Sequence, residues 1–125
     1  MAKKSQLGIT GRIGEQLAKR YLINEGYDVV VENVTYPYGE IDLVAYKDDV
    51  YYFVEVKAAD VRSKMSVALS ERLGPQKLAR VKKATQSYIA QNDLYNYEVA
   101  IFAILVKIDS ENKKSWIKVI QDLGV

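Results

Sequence analysis

The sequence predicts one α/β domain in which helices cover a sheet, and three observations predict it. Apolar residues recur at helical spacing in two segments, Thr10–Glu25 and Pro75–Gln91. Five β-branched or aromatic runs alternate with them, in the order α-β-β-β-α-β-β. The chain has 125 residues, the length of one domain, and is 49% hydrophobic, enough for one core.

Each element follows from local chemistry. In the first helix Ile13, Leu17, Ala18, Tyr21 and Leu22 form one apolar stripe, and Gly26 stands where a C′ glycine is expected. "YDVVVEN" reads as a strand over Tyr27–Asn33, and "VTYPYG" as a turn. Two strands follow over Glu40–Tyr46 and Val50–Lys57, joined around Lys47-Asp48-Asp49. Ala58–Leu73 mixes small and charged residues and reads as a loop. Gly74-Pro75 starts the second helix, with proline in its first turn, and Leu78, Val81, Ala84, Thr85, Tyr88 and Ile89 face inward. Tyr97–Ile108 is a long buried strand, and Ser115–Gln121 a last one. Adjacent strands imply antiparallel hairpins.

Composition excludes more than it selects. With no Cys there is no disulfide, thiol nucleophile or Cys-bound zinc, and with no His there is no Ser-His-Asp triad or His-bound metal. Any metal must be a hard ion with oxygen ligands. No apolar run approaches the roughly 20 residues of a membrane helix. The start, "MAKKSQLG", lacks the apolar stretch of a secretory signal, so a cytoplasmic location without membrane partners is expected. The net charge of +2 is weak, but Arg72, Lys77, Arg80, Lys82 and Lys83 crowd one segment that holds a single acid, Glu71. Such a segment can meet phosphates or be a solvated helix face. Gly8, Gly11 and Gly14 lack the strand and Lys-Ser/Thr of a phosphate loop, and fit a close approach of the helix start to backbone or DNA.

The hairpin carries the chemistry. With Lys47 opposite Val50, residues pair when their numbers sum to 97, so Asp42 faces Glu55 and Glu40 faces Lys57. The opposite face is then Ile41, Leu43, Ala45, Tyr52, Val54 and Val56, all apolar or aromatic. Two carboxylates on opposed positions repel unless a cation lies between them. That cation is either a divalent metal or Lys57, in a salt-bridged cluster with Glu40 at its rim. Tyr36 and Tyr38 flank Pro37 just before this hairpin and can pack as core and rim or stack on an unpaired base.

"GEID", the apolar hairpin and "VEVK" together resemble the acid…(D/E)-x-K signature of restriction-endonuclease-like nucleases. The stretches "GRIGEQLAKRYLINEGYDVVVEN", "GEIDLVA", "YFVEVK" and "QKLARVKKATQSYI" resemble, more narrowly, the YraN-like family of small predicted endonucleases. Archaeal Holliday-junction resolvases are similar in layout. The resemblance implies an α-β-β-β-α-β core with a central mixed sheet flanked by helices. It implies Asp42 and Glu55 as ligands of Mg²⁺ or Mn²⁺ together with the Val56 carbonyl. Lys57 would activate the attacking water, and Glu15 would approach the metal from the first helix. Gln76 and Lys77 would line the site, and DNA would be the partner. Two departures stand out: Ala58-Ala59-Asp60 follows Lys57, so that the nearest arginine is Arg62, and Asn96-Tyr97-Glu98 replaces an Arg-aromatic-Asp run. The implied function is a Mg²⁺-dependent DNA endonuclease, a class that includes enzymes selective for branched or junction DNA. A homodimer is expected if two strands are cut in concert. The other function class is a nucleic-acid-binding module that keeps the fold without catalysis.

Overall fold

A computed structural model describes residues 8–62, 74–121 and 123–124. Its elements are α1 (Ile9–Asn24), β1 (Asp28–Tyr36), β2 (Gly39–Lys47), β3 (Val50–Asp60), α2 (Pro75–Gln91), β4 (Glu98–Asp109) and β5 (Lys114–Ile120). The strands form one sheet in the order β1-β2-β3-β4-β5. Strands β3 and β4 are parallel, and the other neighbours antiparallel. Parallel neighbours need a crossover, and α2 lies within it.

The two helices bury opposite faces of the sheet. Ala18 and Leu22 of α1 pack with Leu43, Ala45, Val54, Val56, Ile104 and Val106. Val81, Ala84 and Ile89 of α2 pack with Ile41, Val44, Phe53 and Ile101. Helix α1 approaches β3 closely because residue 14 has no side chain: a Cβ there would lie 2.2 Å from the Ala58 Cβ. Ile13, expected in the buried stripe, is 40% exposed, because the helix presents Gly14 instead. The helix ends in a Schellman motif: Tyr27 N–H donates to Leu22 O, Gly26 N–H donates to Ile23 O, and Gly26 has φ +91°.

Two strands run on well past their expected ends. Strand β1 continues through Val34, Thr35 and Tyr36, which pair with β2, so the turn shrinks to Pro37-Tyr38 between the paired Tyr36 and Gly39. Strand β3 continues through Ala58, Ala59 and Asp60 because these residues pair with β4. The remainder of the expected loop, residues 63–73, lies outside the described residues. The β2–β3 register is as expected from Lys47↔Val50 to Leu43↔Val54. Asp48 and Asp49 supply the two positive φ values, 50° and 66°, that a two-residue hairpin turn needs.

Candidate functional site

The regular sheet breaks where the charged residues begin. The β2–β3 ladder ends at Leu43↔Val54, so the expected oppositions Asp42/Glu55 and Glu40/Lys57 carry no ladder pairing. Glu40 pairs instead with Thr35 on β1. Alternation also slips there: Leu43 and Ala45 face α1, whereas Ile41 faces α2 beside Val44. The expected apolar face therefore loses Ile41. Asp42 sits at the slip, and its Oδ2 accepts the Val56 N–H at 2.7 Å. A side chain thus takes the backbone donor just past the end of the ladder. On β1 the neighbouring irregularity is Asn33, with φ 55°.

Both key carboxylates are sealed from solvent, Asp42 at 0% and Glu55 at 1% exposure. Glu55 lies between Val54 and Val56, which face α1, so it faces α2. There Lys77 Nζ reaches its Oε1 at 3.2 Å. Lys57, two residues on, shares that face and is half-buried. Among the described residues Lys57 forms no ion pair, and the cation that meets Glu55 there is Lys77, so the alternative of a salt-bridged cluster built on Lys57 is not what these residues form. Helical periodicity carried this signal: Lys77 precedes Val81, Ala84 and Tyr88 on one stripe, which places it over the sheet. Burying a carboxylate is costly unless it is paired and hydrogen-bonded, and the Val56 amide and Lys77 lower that cost.

Glu15 is half-buried on α1, next to the Gly14–Ala58 contact. It does not complete a three-carboxylate set: among the described residues no three acidic side chains gather so as to hold a metal. A hard cation would therefore rest on Asp42, Glu55 and a backbone oxygen such as that of Val56. The donor chemistry fits such an ion, since only oxygen ligands are offered. Glu40 is a third buried carboxylate, and its Oε2 has no hydrogen-bond partner among the described residues.

Helix α2 brings its polar residues to one side of this site. It lies close over the start of β2, where a Cβ on Gly39 would fall 2.8 Å from the Arg80 carbonyl oxygen. Gln76, Arg80 and Lys83 are exposed, and Lys82 extends towards Gly124. Arg72 lies outside the described residues. Tyr36 and Tyr38 stack on each other, with ring centroids 5.6 Å apart, and both hydroxyls are tied to α2. Tyr36 donates to Gln91 Oε1 at 2.8 Å, and the Tyr38 hydroxyl hydrogen-bonds Ser87. Lys83 stands over the Tyr38 ring. These aromatics fasten the β1–β2 turn to the helix.

Arg62, the nearest arginine after Lys57, belongs to a polar knot at the far ends of β3 and β4. It binds Asp60, Ser110 and Glu111. Its backbone N–H on Asp60, and the Asn112 side chain on Asp109, hold these two carboxyls below their usual range. The cleft lined by Asp48, Asp49, Val50, Asn96, Tyr97 and Glu98 lies at the opposite end of β3 and takes no part in the carboxylate site.

The model of the uncharacterised protein family UPF0102 matches residues 14–109, which include Asp42, Glu55, Lys57 and all of α2. The chain belongs to this family. UPF0102 is the YraN-like family that stretches such as "GEIDLVA" and "YFVEVK" resemble. The UPF0102 protein of Dichelobacter nodosus (strain VCS1703A) is 34% identical over 117 residues, 93% of this chain and 91% of that protein. The UPF0102 protein of Caldicellulosiruptor bescii is 35% identical over 116 residues, 90% of this chain and 93% of that one. The Shewanella denitrificans UPF0102 protein is 39% identical over 85 residues, 68% of this chain and 77% of its own length. Among the described residues of this UPF0102 chain, no helix is long and apolar enough to cross a membrane.

Proposed function

We propose that the protein is a metal-dependent DNA endonuclease of the restriction-endonuclease-like superfamily. Asp42 and Glu55 would hold Mg²⁺ or Mn²⁺, and Lys57 would act beside the scissile phosphate. The observation that carries this is the burial of Asp42 and Glu55 where β2 leaves β3, with the ammonium of Lys57 on the face of Glu55. When bound, such a cation supplies positive charge at the phosphate and acidity to the attacking water.

The chain's own groups divide the remaining work. The Val56 amide fixes the Asp42 carboxylate. Lys77 orients the Glu55 carboxylate from α2. Lys57 holds the attacking water and meets the charge that grows on the phosphate oxygens in the transition state. The water oxygen adds to phosphorus as the bond to one sugar oxygen breaks, and the water proton ends on the departing oxygen. Exposed Arg80 and Lys83 supply phosphate contacts on the α2 side.

A panel of labelled linear, flapped and four-way-junction DNAs, incubated with Mg²⁺ or Mn²⁺, tests the proposal. Wild type should cut at least one of them, and Asp42→Asn none. If no DNA is cut and Mn²⁺ titration produces no heat, the protein is a binding module on a nuclease-like fold. Sizing with and without junction DNA tests the homodimer that concerted cutting requires.

A further inference from the structure

The sheet face that carries Glu55 and Lys57 continues across β4 and β5, and its composition there is distinctive. Registered neighbours on a sheet share a face. Lys57 registers with Leu105, and Leu105 with Lys118. Ala59 registers with Lys107, and Lys107 with Trp116. The alternate residues Val56, Ile104, Val106, Ile117 and Val119 pack towards α1, so this set faces the α2 side. Lys118 is exposed, and Trp116, the only tryptophan in the chain, is 51% exposed. Among the described residues Lys57, Lys107 and Lys118 form no ion pair. Among the described residues the one acid further along this face, Asp109, is already engaged by Arg62 and Asn112.

We propose that this face is a single-stranded nucleic-acid track, in which Lys107 and Lys118 hold phosphates and Trp116 stacks on an unpaired base of the strand entering the Asp42–Glu55 site. The assignment of that strand to the site rests on the nuclease proposal; the track itself does not. Three ammonium groups without an ion-pair partner among the described residues call for a polyanion. An exposed indole among them calls for a ligand with accessible aromatic faces, which a stacked duplex conceals and a single strand presents. A second copy of this chain fits less well, because a two-fold contact that buried this face would set one lysine-rich patch against another.

Trp116 supplies its own probe. Titration with a short oligothymidine strand, without divalent cations, should quench the tryptophan emission saturably, and a hairpin duplex of equal length should quench it much less. Trp116→Ala should weaken binding of a labelled strand roughly 5- to 100-fold in fluorescence anisotropy, and Trp116→Phe should restore most of the loss. Replacing Lys107 and Lys118 by Ala should flatten the log–log salt slope by about 1.4, or about 0.7 per lost phosphate contact. Absence of quenching, equal quenching by duplex, or an emission that follows protein concentration in place of DNA would each overturn the track, the last by making β5 a protein interface. Asp42→Asn should quench like wild type. Quenching by a protein that cuts no DNA retains the track and removes the nuclease; cutting without quenching does the reverse.

Discussion

Lys77 Nζ lies 3.2 Å from Glu55 Oε1, joining a helix on the β3–β4 crossover to a carboxylate buried in β3. The contact assigns different duties to the two lysines nearest Glu55. Lys77→Met leaves a buried carboxylate without this cation and should cost about 1–3 kcal/mol, below the range for fully buried pairs because Lys77 is partly solvated. Lys57→Met should cost less than about 1 kcal/mol and lower turnover about 10²–10³-fold. Urea melts and single-turnover cleavage of both variants test the division. A larger stability loss for Lys57→Met would make Lys57 the strut.

Asp42→Asn keeps an oxygen that can accept the Val56 N–H and removes one charge from a buried acidic site. Stability should therefore stay level or rise, while cleavage and Mn²⁺ binding disappear. Calorimetry and a cleavage assay on one preparation measure both. Wild-type activity in this variant removes Asp42 from the site.

Gly14 and Ala58 form a matched pair. In a helix interior Gly→Ala ordinarily stabilises. Here the added Cβ would sit 2.2 Å from that of Ala58, so Gly14→Ala should cost about 1–3 kcal/mol. Adding Ala58→Gly should recover much of that loss, with a coupling energy above about 1 kcal/mol in a double-mutant cycle. Additive effects would mean that α1 and β3 are not in close contact at this point.

Alkaline pH should destabilise the fold. Tyr46 donates to Asp49 Oδ1 at 2.8 Å, and this bond, aided by burial and the Asp49 charge, raises its pKa to about 12. Burial also raises those of Tyr27, Tyr36 and Tyr88. A phenol whose folded-state pKa exceeds its unfolded value stabilises fully below the unfolded value, near 10, and that contribution is lost as pH rises through the folded value. Denaturant midpoints should fall between about pH 9 and about pH 12, and fall less in Tyr46→Phe. Equal slopes for the two proteins would show that Tyr46 adds nothing.

Much of the fold was legible because it depends on local rules. Gly74-Pro75 marked the start of α2, and the Asp48-Asp49 turn gave the register from Lys47↔Val50 to Leu43↔Val54. What escaped was the slip at Asp42. A period of two assumes an unbroken ladder, and this ladder breaks where a carboxylate takes the Val56 amide. The same break moved Ile41 to the other face. Val34–Tyr36 read as turn because Pro37 follows, yet proline removes only its own donor. The pairing of Glu55 with Lys77 spans 22 positions (77 − 55 = 22), and hairpin geometry carries no trace of it.

The parallel β3–β4 pairing also predicts an order of events in time. Strands β1, β2 and β3 form a meander with two-residue turns, whose loops close at small entropic cost. Pairing β3 with β4 requires the chain between Asp60 and Glu98 to close first, and such non-local contacts form slowly. Asp42 and Glu55 belong to the early unit, and Lys77 arrives with the late one. On this topology the folding chain should bring its two acids together before their helical counter-charge is in place. In pulse-labelled hydrogen exchange, amides of β2 and the first half of β3 should gain protection before those of β4, and weakening α2 should slow the second phase while sparing the first.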